Sequence, residues 1–283
     1  MSAVRITVAG SVNLDLVARC PCLPRAGETV LGGSFAQHPG GKGANQALAA
    51  RRLGADVALI ACVGADAHAD AALALLKADG VDLTRCRALP DVPTGVALIA
   101  VSEDGENQIV VAPGANARLR PEDIPDRIES ALLAQLEVPV ETVLRAAQVT
   151  TGMVALNLAP ALPVPDELLS RAGLVMVNET EAETYGTERL FAPGRLTAIT
   201  LGAAGAELYR GSNRIARSVP PRVEVVDTTG AGDTSTAALL VALEEGREPQ
   251  AALDFACAAG ALAVTREGAQ TALPRRAEVD ALG

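Results

Sequence analysis

The run Val225-Val226-Asp227-Thr228-Thr229-Gly230-Ala231-Gly232-Asp233-Thr234 has the residue types of a reaction centre. It reads as a strand ending at Val226, a glycine turn, and a helix beginning around Gly232, with Ala237, Leu240 and Val241 on one buried face. Backbone N–H groups at a helix start are unpaired, and with the helix dipole they attract an anion, which glycine lets approach closely. A carboxylate at Asp233 would repel that anion. It has two uses: a base that takes a proton from a nucleophile attacking the anion, or an ordinary N-terminal cap. Spacing alone does not choose between them.

Gly40-Gly41-Lys42-Gly43-Ala44-Asn45 is a second glycine turn opening a helix. Neither stretch is a better-known phosphate motif. GxGxxG would need Gly at 235, where Ser stands, and the P-loop would need Ser or Thr after Lys42, where Gly43 stands. Lysine is rare here, with only Lys42 and Lys77, so Lys42 inside a motif is informative. Lys42 and Asn45, at i and i+3, offer two polar groups on one side to a polyol, or form a plain turn with an exposed lysine. Asn13 and Asp15 are two apart in a strand-like segment, so both point to one face. A carboxylate beside an amide suits vicinal hydroxyls. Asn178 and Glu181 follow an apolar strand and share a helix turn, suiting either a hydrated Mg²⁺ or helix capping. Thr200-Leu201-Gly202-Ala203-Ala204-Gly205 is another strand-to-glycine turn, where a nucleotide would fit.

These residues need a scaffold. Strand-like runs fall at Val4–Val8, Val57–Val63, Val154–Asn157, Leu174–Val177, Ala198–Thr200 and Val223–Val226. Helix-like segments fall at Ala44–Leu53, Ala69–Ala78, Val140–Gln148 and Glu179–Thr184, then Asp233–Glu245 and Ala251–Val264 at the end. The alternation predicts an α/β fold: a mostly parallel sheet covered by helices on both faces. Gly10–Ala36 and Pro93–Ala112 break the rhythm and read as short strands, with a hairpin of Thr94–Val101 and Gln108–Val111 around an acidic turn. They predict a small β-element on the main sheet. No linker separates two domains, so 1–283 reads as one.

The 283 residues are 49% hydrophobic and 20% charged, which excludes wholesale disorder. With 24 basic and 34 acidic residues the net charge is −10. Such a chain is a poor partner for nucleic acid or anionic membranes. Aromatics are 2% with no Trp, against base-stacking platforms. The N-terminus alternates like a strand and lacks a signal peptide's apolar run. The five cysteines suit reduced thiols, so the expected location is cytoplasmic. Cys20-Pro-Cys22 lacks a second pair to complete a zinc site.

The order of these pieces, from Val8 to about Ala281, resembles the PfkB-type carbohydrate kinases. The carrying stretches are Gly10–Asp15, Pro24–Thr29, Gly40–Gln46, Gly105–Asn107, Pro113–Asn116, Gln135–Glu137, Asn178–Glu181, Asp227–Asp233 and Gly268–Gln270. Gly40–Gln46 and Gly105–Asn107 resemble the ribokinase branch in particular. The resemblance implies a three-layer ribokinase-like fold and transfer of the ATP γ-phosphoryl to the 5-hydroxyl of D-ribose. It implies Asp233 as base, with backbone N–H groups of Gly230, Ala231, Gly232 and Asp233 as the anion hole. Asn13, Asp15, Gly41, Lys42, Gly43, Asn45 and Glu137 would hold the sugar. Thr200, Leu201, Gly202, Ala203, Ala204 and Gly205, with Asn178, Gly232, Asp233 and Cys257, would contact ATP. Asn178 and Glu181 would position Mg²⁺ through water. A K⁺ site would use the Asp227 carboxylate, the Thr229, Ala263, Arg266 and Gly268 carbonyls, and the position of Ala272. The β-element, from 12–36 and 93–112, would be a lid over the sugar and a homodimer clasp.

Three departures stand out. Ala272 sits where relatives usually offer a Ser oxygen, and Cys257 where some carry a His. Between Glu181 and Ala198 the chain is short, so the crossover helix expected there is lost or reduced to a loop. The alternatives are another sugar or nucleoside kinase (deoxyribose, fructose, adenosine) or a sugar-responsive binding protein. The second would be marked by a broken Gly-Ala-Gly-Asp stretch, which is intact here.

Overall fold

The computed structural model describes residues 3–282. Its strands are β1 (Arg5–Ala9), β2 (Asn13–Cys20), β3 (Ser34–Gly40), β4 (Asp56–Gly64), β5 (Asp82–Leu89), β6 (Gly95–Ser102), β7 (Asn107–Ala112), β8 (Ala131–Ala134), β9 (Val154–Asn157), β10 (Leu174–Asn178), β11 (Leu196–Thr200), β12 (Ala206–Arg210) and β13 (Asn213–Ser218). Its α-helices are α1 (Lys42–Arg52), α2 (Ala67–Ala78), α3 (Val140–Val149), α4 (Asp166–Arg171), α5 (Glu179–Tyr185), α6 (Thr187–Leu190), α7 (Ala231–Glu244), α8 (Pro249–Ala263), α9 (Ala269–Ala272) and α10 (Arg276–Asp280).

Nine strands form one sheet in the order β13-β12-β11-β10-β9-β8-β1-β4-β5. It is parallel except where β12 pairs antiparallel with β11 and with β13. Side chains alternate between its faces. Leu174 and Met176 pack into the core shared with α1, α2, α7 and α8, whereas Val175 and Val177 pack into the core shared with α3 and α4. Both faces are covered, so the strands are apolar throughout, and the α/β expectation holds. A second sheet, β3-β2-β6-β7, is built from the two stretches that broke the rhythm. β3 runs on to Gly40, directly against the start of α1.

Val223–Val226 is not a strand. Pro220 and Pro221 precede it, and the Val226 and Asp227 N–H groups donate instead to the Val264 carbonyl, at 2.7 and 3.2 Å. The segment crosses the end of α8 with Val225 exposed. α7 begins at Ala231, with Gly230 as its N-cap at φ 78°.

The crossover from β10 to β11 is reduced but still helical, as α5 followed by α6. Arg195 braces it from beneath. It is 8% exposed and donates to the carbonyls of Leu169, Ala172, Arg189 and Leu190. Burial lowers its pKa from the ordinary value. One guanidinium thus satisfies carbonyls at the C-terminal ends of α4 and α6, which a longer packed helix would otherwise cover. Arg195→Met should strand the Ala172 and Arg189 carbonyls, whereas Leu169 and Leu190 keep the Ala172 N–H and Thr197 Oγ1 as donors. Calorimetry should show a loss of about 2–3 kcal/mol and a Tm lower by roughly 5–10 °C. An unchanged Tm would mean the crossover does not depend on this brace.

Candidate active site

The site forms where α1 crosses the head of α7. Gly41, at φ 88°, turns the chain into α1. A Cβ on Gly43 would lie 2.5 Å from the Ser11 nitrogen, so only glycine lets the helix rest on the β1–β2 turn. The Ala44 N–H donates to the Ser11 carbonyl at 2.8 Å. Ser11 Oγ donates to Glu137 at 2.5 Å, and Glu137 also accepts the Lys42 N–H at 3.1 Å. Helix, turn and the segment after β8 are thereby locked together. β2 leaves the same turn carrying Asn13 and Asp15, both buried. Asn13 Oδ1 accepts from Asn116 Nδ2 at 2.7 Å.

Asp233 sits at the centre, 7% exposed. Asn45 Nδ2 donates to its Oδ2 at 2.9 Å, and Gln46 Nε2 donates to its Oδ1 at 2.8 Å. Its pairing is therefore with side chains of another helix rather than a cap alone. Burial, then the charges of Glu137 and Asp233, push Asp15 up from 3.8 to about 7. Asp233 raises Lys42 most; burial opposes this, and Glu137 and Glu181 add to it. Burial also raises Glu181, against the Asn178 N–H and Lys42. One lysine thus sits in the field of three carboxylates.

A cleft of about 140 Å³ is lined by Lys42, Asn157, Asn178, Glu181, Thr200, Gly230, Gly232 and Asp233, among others. Gly232 lies at the head of α7 with nothing within 4 Å of a Cβ position. Of the expected N–H donors, Ala231 is turned to the Thr228 carbonyl at 3.3 Å. The cleft shares Met176, Thr200, Gly232 and Thr236 with a cavity of about 650 Å³. That cavity is mostly apolar and includes Gly202, Ala203, Gly205, Val225 and Cys257. Leu201 and Ala204, from the same glycine turn, do not line it; they bond to each other's backbone, Ala204 N–H to Leu201 carbonyl at 3.0 Å. The pair of cavities can seat a small polar molecule against Asp233 and a larger, partly apolar one beyond Gly232.

Asn178 and Glu181 form a capping box: the Glu181 N–H donates to Asn178 Oδ1 and the Asn178 N–H to Glu181 Oε2, each at 2.8 Å. Both also line the cleft. Among the described residues, no group of three or more His, Cys, Asp or Glu could hold a metal directly. The lone carboxylate and amide fit a hydrated ion and not a stripped one. Asp227 joins two loops, accepting from Thr229 N and Oγ1 at 2.9 and 2.7 Å and from Gly268 N at 2.9 Å. Burial pushes its carboxyl up, but these hydrogen bonds outweigh that and hold it below its ordinary value. Ala263 and Ala272 are buried beside these loops, whereas the Arg266 side chain turns away to Glu278. A carboxylate kept ionised but already shared among three donors suits a weakly charged cation.

Sequence reasoning missed the amides behind Asp233. Gln46, Gln135 and Gln270 are fully buried and Asn157 is nearly so. Gln46, Gln135 and Gln270 lie inside stretches that carried the resemblance, but no spacing rule assigns them a role.

The comparisons agree with this geometry. The model of the pfkB family of carbohydrate kinases matches residues 4–276. A ribokinase of Bacillus subtilis is 41% identical over 291 residues, covering 98% of each chain. The crystal structure of ribokinase from Thermotoga maritima superposes with a TM-score of 0.89 at 33% identity, covering 99% of both chains. The structure of Arabidopsis thaliana ribokinase complexed with ribose and ATP gives 0.84 at 30% identity, covering 99% of this chain and 98% of that one. With its fold, its glycine turns and its paired cavities all accounted for, the chain belongs to the pfkB family of carbohydrate kinases.

Proposed function

We propose that this protein transfers the γ-phosphoryl of ATP to the 5-hydroxyl of D-ribose, giving ribose 5-phosphate and ADP. The observation that carries the reading is Asp233: a buried carboxylate at the head of α7 that lines the small cleft, next to Gly232, which lines both that cleft and the larger apolar cavity. The Bacillus relative is a ribokinase and the Arabidopsis neighbour holds ribose and ATP, which supports this substrate pair. Asp233 takes the proton of the sugar hydroxyl. The freed oxygen attacks the γ-phosphorus, the bond to the β-phosphate oxygen breaks, and ADP departs. The N–H groups at the head of α7 meet charge developing on the equatorial oxygens. Asn13, Asp15, Lys42, Asn45 and Glu137, with the backbone at Gly41 and Gly43, hold the sugar. The apolar cavity with Cys257 takes the adenosine.

Asn178 and Glu181 would hold Mg²⁺ through water; when bound it supplies charge neutralisation at the phosphates. K⁺ would lie at Asp227 with the carbonyls of Thr229, Ala263, Arg266 and Gly268, keeping the Gly230 turn in place. The four-stranded sheet is the lid, and its exposed Phe35, Leu98, Ile109 and Val110 support a homodimer through it. Among the described residues no helix is long and apolar enough to cross a membrane. Action in the cytoplasm is part of the proposal.

An ADP-release assay across ribose, 2-deoxyribose, fructose and adenosine tests the substrate, with ribose expected to give the highest kcat/KM. A higher value for another acceptor would overturn the ribose reading. Asp233→Asn keeps the shape and removes the base. Turnover should fall on the order of 10²–10⁴-fold while sugar binding persists by calorimetry; near-normal turnover would exclude Asp233 as base.

Asp15 carries a separate expectation. Its folded pKa of about 7 lies above the ordinary 3.8, so the folded chain keeps a proton that the unfolded chain releases. The stability from this group is full below the lower value, is lost as pH rises through the higher one, and is absent at pH ~8. Asp15→Asn mimics the protonated acid. Its Tm should match the parent near pH ~4 and exceed it near pH ~8, while its KM for ribose rises by roughly one to two decades. A Tm difference independent of pH would contradict the burial argument.

At constant ionic strength, replacing a sodium- and potassium-free salt by KCl should raise kcat severalfold and change KM less. The half-maximal K⁺ should be high, because Ala272 offers no side-chain oxygen. A flat titration would mean the site, or its coupling to Gly230, is lost.

A further inference from the structure

Gln46 is not among the groups that touch either cavity, yet it is the most constrained polar side chain near the base. It is fully buried on the second turn of α1. Its Nε2 has two hydrogens and both are used: one goes to Asp233 Oδ1 at 2.8 Å, the other to Asn157 Oδ1 at 2.9 Å. Its Oε1 accepts from Gln135 Nε2 at 2.5 Å. Asn157 is itself tied to the Met176 carbonyl through Nδ2 at 3.2 Å. The amide cannot be turned over, because its oxygen would then face the Asp233 and Asn157 oxygens and its NH₂ would face that of Gln135. β8, β9 and β10 are thereby connected through one amide to one oxygen of the carboxylate.

We infer that Gln46 is a positioning residue for Asp233, aiming the carboxylate through a buried amide relay from Gln135 and Asn157. The inference rests on the reading of Asp233 as base. A side chain placed only to fill space would need no such relay, since buried amides are costly unless fully bonded. Asn45 holds the other oxygen, and its own Oδ1 is buried without a protein partner. Gln46 lines neither cavity and has all its polar atoms committed to protein groups, so a KM-against-kcat comparison separates positioning from binding. The charged groups that share the field of Asp233 are Asp15, Lys42 and Glu181, with Glu137 acting on Asp15 and Lys42. None of them is altered by changing Gln46.

Gln46→Met preserves volume and removes the donor. Losing an N–H donor disfavours the ionised carboxylate, so the acid limb of the kcat–pH profile should move to higher pH. At neutral pH kcat should fall about 10–100-fold, with the KM for ribose within about threefold of the parent. Much of the kcat loss should return at high pH. Gln135→Met is the second variant. It leaves the Asp233 contact in place but frees Gln46 Oε1, and should give the same shifts in smaller measure. It also serves if the first variant fails to fold. The inference is overturned if both limbs of the profile stay where they are, or if kcat and KM degrade together with Tm and no pH dependence. A parent enzyme inactive on every acceptor would refute the reading of Asp233 itself, a result these two variants cannot mimic.

Discussion

A carboxylate is costly to bury unless hydrogen-bond donors are brought to it. That requirement at Asp233 organises the chain. The two donors, Asn45 and Gln46, are consecutive residues of α1, so α1 must cross the head of α7 at contact distance. For α1 to reach that position its first turn must rest on the β1–β2 turn, and a Cβ at Gly43 or Gly10 would collide there. The same turn launches β2, which brings Asn13 and Asp15 to the site. One pairing constraint thus accounts for two glycine motifs far apart in sequence and for the side chains between them.

The electrostatics follow from the same crowding. Glu137, Glu181 and Asp233 converge on Lys42, Asp15 lies in the field of Glu137 and Asp233, and burial raises the proton affinity of Asp15 and Glu181 rather than letting every carboxylate ionise. A polyphosphate entering such a field meets repulsion that one ammonium does not cancel. Neutral donors at the head of α7, and the hydrated cation proposed at Asn178 and Glu181, would be the two remaining means of compensation. The capping box does not exclude the second, because those side chains both cap α5 and face the cleft.

What could be read in the sequence is what short-range chemistry dictates. The glycine turns, the carboxylate behind them and the apolar parallel strands each announce themselves within a few residues. The amide relay does not, because Gln46, Gln135 and Asn157 come from separate elements and meet only after the sheet has formed. Neighbouring positions on a helix point about 100° apart, so nothing in the stretch around Asn45 assigns Gln46 to the same carboxylate. β5 was missed because an edge strand bearing Asp82, Arg85 and Arg87 lacks the β-branched run of its neighbours. Val223–Val226 differs from its strand reading for the converse reason: its valines satisfy strand propensity, but the Val264 carbonyl that caps α8 takes the N–H groups of Val226 and Asp227.

The lid is not an independent attachment. Gly40, its last residue before α1, pairs with Asn13 and lies so close to Asp15 that a Cβ there would meet the carboxylate at 2.4 Å. The Gly40 carbonyl also accepts from Gln270 Nε2 at 3.4 Å, and Gln270 lies two residues beyond Gly268, whose N–H is held by Asp227. Asp227 in turn begins the loop that ends in Gly230 and the head of α7. β3 and the head of α7 are therefore linked through two short loops and a buried glutamine. A displacement of β3 would pull on the Gly268 loop through Gln270, because that side chain is fully buried and a lost bond to the Gly40 carbonyl would leave its amide unsatisfied.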